Sequence, residues 1–125
     1  MRAQGCWLLE TSAWSPRFRE RDTLQLLPRR IELRLDRGFG DEASERLVRP
    51  APGEPAFPLG TTGIWRVIAS NQIRLTIATH ERWTTVTMTV GDDSLSGTAR
   101  AYSEVDRLLR RATVSARRVV CRTEP

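Results

Sequence analysis

Few residues in this chain could carry out chemistry. His80 is the single histidine, and it stands beside Glu81 between two strand-like runs. A His–Glu pair can move a proton, but in a tight connection it reads as a solvated turn. Asp92 and Asp93 follow Gly91 and read as turn formers, not as a metal site. Serine and threonine are plentiful, yet no second histidine is present to activate one of them, and no pair of carboxylates shares an inner face. Cys6 and Cys121 lie far apart, with no Cys-x-x-Cys and no Cys/His cluster, so zinc is not expected. No catalytic residue, cofactor or metal is therefore assigned.

The elements that must position these residues follow from the hydropathy pattern. Alternation with period two dominates. Residues 5–11 place Trp7 and Leu9 on one face. Residues 30–36 alternate Ile31, Leu33 and Leu35 with charges. A weak third strand covers 44–49. Residues 63–70 carry Trp65, Val67 and Ala69; residues 72–79 carry Ile73, Leu75 and Ile77; residues 83–90 carry Val86, Met88 and Val90. Residues 94–101 carry Leu95, Gly97, Ala99 and Ala101, and residues 112–122 form the last strand, the eighth. Trp83 and Tyr102 fall on the outward parity. Short connections at 70–71, 79–82 and 91–94 make the later strands antiparallel neighbours. An eight-strand meander whose ends meet closes as an up-and-down barrel, which removes its exposed edges.

Three segments break the pattern. Ser15-Pro16 looks like a helix start running to Asp22. Residues 50–63 form a long Pro/Gly-rich loop. Residues 103–111 read as a short amphipathic helix before the last strand, with Val105, Leu108 and Leu109 on one face and Ser103 and Asp106 as caps. The chain has 125 residues, which suits one domain over 1–125. No apolar run is long enough for a membrane-spanning helix.

The charge is unusual. All 20 basic residues are arginine, against 15 acids, for a net +5. Acidic residues are interleaved with most of them, and no long run of like charge occurs, so nucleic acid is not an expected partner. On the strand map Arg30, Arg34, Arg74, Arg100 and Arg117 alternate to the wet face and read as solubility.

The first strand contains Gly5-Cys6-Trp7, a Gly-x-Trp, and the last carries Arg117 and Arg118. In these residues the chain resembles the lipocalin-like (calycin) barrels. The resemblance implies a Trp7 at the closed end, an Arg118 stacked on it, and a barrel that holds a small ligand. It rests in motif on Gly5, Trp7 and Arg118 alone. The chain is short for a lipocalin, and its expected helix precedes the last strand.

Strand parity makes a separate prediction. With Trp7 and Leu9 inward, Cys6 points outward. With Val114, Ala116, Arg118 and Val120 inward, Cys121 also points outward. Setting Cys6 opposite Cys121 puts Trp7 opposite Val120 and diagonal to Arg118. One register then accommodates both a Cys6–Cys121 disulfide and an Arg–Trp stack. The alternative is two separate buried thiols. A disulfide implies a secreted or periplasmic protein, and unpaired cysteines a cytoplasmic one.

These readings lead to one expected function: non-catalytic binding of a small hydrophobic or aromatic molecule inside the barrel. The ligand-binding set is Leu33, Leu35, Phe57, Trp65, Val67, Leu75, Ile77, Val86, Met88 and Ala99. Entry is expected at the end covered by residues 12–28 and 50–63, with Phe57, Leu59 or Phe18 as lid. Two alternatives stand beside it. One is a plugged barrel acting as a protein-interaction or inhibitor module. The other is a cyclase-type enzyme that only shapes an apolar substrate.

Overall fold

The structure is a computed structural model, and it describes residues 3–17, 27–38 and 44–121. Eight strands form a closed antiparallel barrel in the order β1-β2-β3-β4-β5-β6-β7-β8, with β8 returning to β1. They are β1 (Gly5–Thr11), β2 (Arg30–Arg37), β3 (Arg46–Pro50), β4 (Thr62–Ala69), β5 (Gln72–Ala78), β6 (Arg82–Val90), β7 (Ser94–Ser103) and β8 (Leu109–Val119). Every strand pairs with its sequence neighbours, so the meander expected from the alternation is present. No described helix is long and apolar enough to cross a membrane.

The alternation that builds the strands also fills the barrel. Inward positions collect Trp7, Ile31, Leu33, Ile73, Leu75, Val86, Met88 and Leu95 into one cluster. Burial of this many large aliphatic and aromatic side chains, at about 1.5–3 kcal/mol each, is the main force holding the barrel closed. Outward rows are polar, such as Arg74–Thr87–Thr98–Thr113 across β5 to β8.

The segment before the last strand differs from expectation. Residues 104–106 form a turn, and no helix occurs among the described residues. The Ser103 hydroxyl accepts a hydrogen bond from the Val105 N–H (3.2 Å), and Asp106 Oδ1 accepts one from the Leu108 N–H (3.0 Å). These are the bonds a helix cap would make, but here they close a tight turn that ends at Arg107 with φ 58°. Leu109, Arg110 and Arg111 then pair with Tyr102, Ala101 and Arg100. Extending the β7–β8 ladder satisfies their backbone groups, and a single helical turn would not. Ser15, the expected helix cap, instead forms a bridge with Arg111, and residues 18–22 lie outside the described residues.

Leu35 and Val67 also depart from expectation, being 59% and 52% exposed. β1 begins at Gly5, which pairs with Leu33, so β2 runs past the first strand from that point. An irregularity between Leu33 and Arg37, and another between Val67 and Ala69, bends both strands at the rim. Among the described residues nothing covers these two side chains.

Candidate functional site

The end of the barrel at which β1 starts is closed by a small constellation. The Arg118 guanidinium lies 4.4 Å from the centre of the Trp7 ring system. Arg118 Nη1 donates to the Gln4 carbonyl at 2.7 Å, and Nε donates to Asp93 Oδ1 at 3.2 Å. Trp7 Nε1 donates to the Ala3 carbonyl at 2.8 Å. Gly5 sits at φ +123°, and a Cβ there would lie 2.8 Å from Arg118 Nη1. Only glycine holds this backbone while leaving the guanidinium its place. Gly5, Trp7 and Arg118 thus come together as expected.

The register is two residues away from the expected one. Cys6 pairs with Val119 and Trp7 with Arg118. A shift of two preserves parity, so Cys6 and Cys121 still lie on the same side and within disulfide distance, with a Cα–Cα separation of 5.3 Å. The bond reaches diagonally past the end of β8. Val120, expected inward, is 88% exposed because it follows the last paired residue. Glu32 brings a carboxylate oxygen near both sulfurs.

The expected ligand-binding residues divide into three groups. Leu33, Leu75, Val86, Met88 and Ala99 are 0–1% exposed, and Ile77 and Trp65 are 5% and 6%. All but Ile77 meet in one interior cluster, where they pack with Trp7, Ile31 and Ile73. Surfaces with zero exposure leave no water-sized void beside them. Leu35 and Val67 stand on the rim, as described above. Phe57 is half-buried in the 51–61 loop, Leu59 is fully exposed there, and Phe18 lies outside the described residues.

A groove of about 970 Å³ lies on the outside of the wall formed by β2 and β3, under the 51–61 loop. Outward residues Glu32, Arg34, Leu47 and Arg49 line it together with the inward-parity Val48 and Gly63, and Pro50, Ala51, Pro52, Ala56 and Phe57 form its loop side. Gly63 on β4 makes the side wall possible. A Cβ there would meet the Val48 carbonyl oxygen at 2.7 Å and the Phe57 ring at 3.1 Å. The missing side chain lets the loop lie close to the barrel.

The groove is electrically balanced. Its lining carries two acids, Glu32 and Glu54, and two arginines, Arg34 and Arg49. Arg34 is already engaged: Nε and Nη2 bond Asp36 Oδ2 at 3.1 and 2.9 Å, and Nη1 lies 3.6 Å from Glu32. The hydrogen bond to Asp36 raises its pKa further above an already high value. A groove so neutralised presents a mixed polar and apolar lining with no net charge.

Of the polar interior, Thr84 shares the inward parity of Val86 and Met88, whereas Arg110 is hidden as long as residues 103–111 read as a helix. Thr84, Ser103 and Arg110 are buried on the inner face at the far end, with Arg110 only 3% exposed. Arg110 Nη2 bonds Asp106 Oδ2 at 2.8 Å. The missed signal was period two running through Arg110, Ala112, Val114 and Ala116 without a break. His80, by contrast, has an 88% exposed side chain, 3.6 Å from Glu81, as its turn position implies.

No family model, no curated protein and no solved structure matches this chain.

Proposed function

We propose that the protein is a non-catalytic binding module for a small, neutral, apolar or aromatic molecule, held in the groove beneath the 51–61 loop. The observation that carries this reading is the groove itself: about 970 Å³, walled by Phe57, Leu47 and prolines, with balanced charge. Ligand sites of small molecules are concave, mostly apolar and of about this size, ~300–1,000 Å³. The packed interior supports a site on the outside of the wall instead of in the lumen. A lipocalin-like ancestry would fit the barrel and the Trp7–Arg118 stack, with the ligand moved from the lumen to the flank. A secreted or periplasmic location fits the cysteine pair, since such bonds persist in oxidising compartments.

Titration with the neutral fluorophore N-phenyl-1-naphthylamine tests the proposal. Saturable binding that Phe57→Ala weakens roughly tenfold supports it. Absence of saturable binding by the folded wild-type protein contradicts it.

A second reading has its own support. Trp83, Val105, Leu108 and Leu109 are all exposed around the far rim, which suits a plugged barrel that engages a partner through its surface.

A further inference from the structure

The outer face of β7 and β8 carries a like-charge pair at close quarters. Arg100 and Arg111 are direct cross-strand partners, and both are exposed. Opposed residues have Cβ atoms ~4.5–5.5 Å apart, and like charges so placed destabilise a sheet. Among the described residues neither side chain has an ion pair or hydrogen bond. Arg74 bonds the Thr87 hydroxyl, Arg118 bonds Asp93, and Arg34 bonds Asp36, whereas Arg100 and Arg111 face each other directly across the strand pair. Arg100 and Arg111 are therefore a place where positive charge is gathered and left uncompensated.

The surroundings suit an anion. A cleft of about 330 Å³ opens beside the pair, with the hydroxyl-bearing Ser12, Thr98 and Thr113 in its lining. The Ser12 hydroxyl is engaged, donating to the Ala13 carbonyl and accepting from the Thr113 N–H, so the two guanidinium groups with the Thr98 and Thr113 hydroxyls are what match the acceptor oxygens of a phosphate. The next outward row toward the rim is Trp83–Tyr102–Leu109, reached from Arg100 and Arg111 by a two-residue step. Trp83 and Tyr102 stack with ring centres 5.8 Å apart, and Trp83 is 38% exposed. Two residues along a strand span ~6.6 Å on the same face. That is about the distance between the ring and the phosphate of a small nucleotide.

We propose that Arg100 and Arg111 form an anion clamp that, with the Trp83–Tyr102 row, binds a small molecule carrying a flat ring and a phosphate group. The site is separate from the groove under the 51–61 loop, and its charge and hydroxyls select a different ligand class.

The test is a titration of the full chain with adenosine 5′-monophosphate, followed by amide NMR shifts and calorimetry, with inorganic phosphate and adenosine as separate arms. The nucleotide should shift residues 98–102 and 109–113, and binding should weaken as salt rises. Arg100→Gln and Arg111→Gln should each weaken it by roughly tenfold to a hundredfold. Arg117→Gln removes the same charge from the same face and should leave affinity within about twofold. Melting temperatures no lower than that of the wild type establish that each variant is folded, and relief of the like-charge pair should raise them slightly in Arg100→Gln and Arg111→Gln. Equal loss in Arg117→Gln would mean diffuse charge attraction and overturn the clamp. Inorganic phosphate binding as tightly as the nucleotide would overturn the part played by the aromatic row. No binding in any arm would overturn the proposal entirely.

Discussion

Arg118 lies over Trp7 with its guanidinium carbon 4.4 Å from the ring centre, and the two residues are direct partners on β8 and β1. This contact joins the last strand to the first. A barrel is closed by its final seam, and here the seam carries a cation–π contact, two hydrogen bonds to Gln4 and Asp93, and the cysteine pair just beyond. Arg118→Ala should lower stability by about 1–3 kcal/mol, and Trp7→Ala by about 3–5 kcal/mol, in urea unfolding. Arg118→Lys should recover only part of the loss, because an ammonium cannot stack flat and bond both carbonyl and carboxylate. Gly5→Ala should cost about 1–3 kcal/mol through its positive φ.

Cys6 and Cys121 are 115 positions apart in sequence. Joining them restricts the unfolded chain strongly, by ~5 kcal/mol in the chain-entropy model. The Cys6→Ala/Cys121→Ala double variant, or the reduced wild type, should unfold at much lower urea with an increased slope. Equal midpoints for oxidised and reduced protein would show that the seam is held by packing alone.

How much was legible in the sequence differs from one residue to the next. The strands were readable because alternation such as Ile31-Glu32-Leu33 directly encodes a half-wet wall. Cys6, Cys121, Trp7 and Arg118 could be assembled by parity, which survives a register error of two. The register itself was not readable, since alternation is blind to shifts of two residues. The 103–111 segment misled because capping residues Ser103 and Asp106 look the same in a one-turn helix and a tight turn. Leu35 and Val67 misled because alternation does not say where a neighbouring strand starts. The groove was invisible, since it depends on the path of a Pro/Gly-rich loop and not on any repeating pattern.

Asp106 gives a pH prediction. The hydrogen bond from Arg110, and then one from the Leu108 N–H, hold its pKa below the usual value. A carboxylate depressed in the folded state adds stability at pH above the unfolded value, ~4, and loses it as pH falls through the folded one. Asp106→Asn should therefore be less stable than wild type at pH 6. The gap should narrow as pH falls from 4 toward 2, with urea unfolding at each pH as the measurement. A gap independent of pH would remove the charge of Asp106 from the explanation.

Gly63 links the wall to the loop. Alanine there meets the Val48 carbonyl oxygen, which belongs to a paired strand and cannot retreat, and the Phe57 ring, which can. Gly63→Ala should cost about 1–3 kcal/mol and displace the loop. Its affinity for the neutral fluorophore should fall while the Trp7–Arg118 seam keeps its chemical shifts.

The most direct measurement is an amide NMR map of the protein with N-phenyl-1-naphthylamine bound. Binding in the groove predicts shifts along residues 47–57 and at Thr61 and Gly63, with Ile73, Leu75 and Val86 unmoved. Shifts centred on Ile73, Leu75, Val86 and Ala99 would place the ligand inside the barrel and contradict the assignment of the groove.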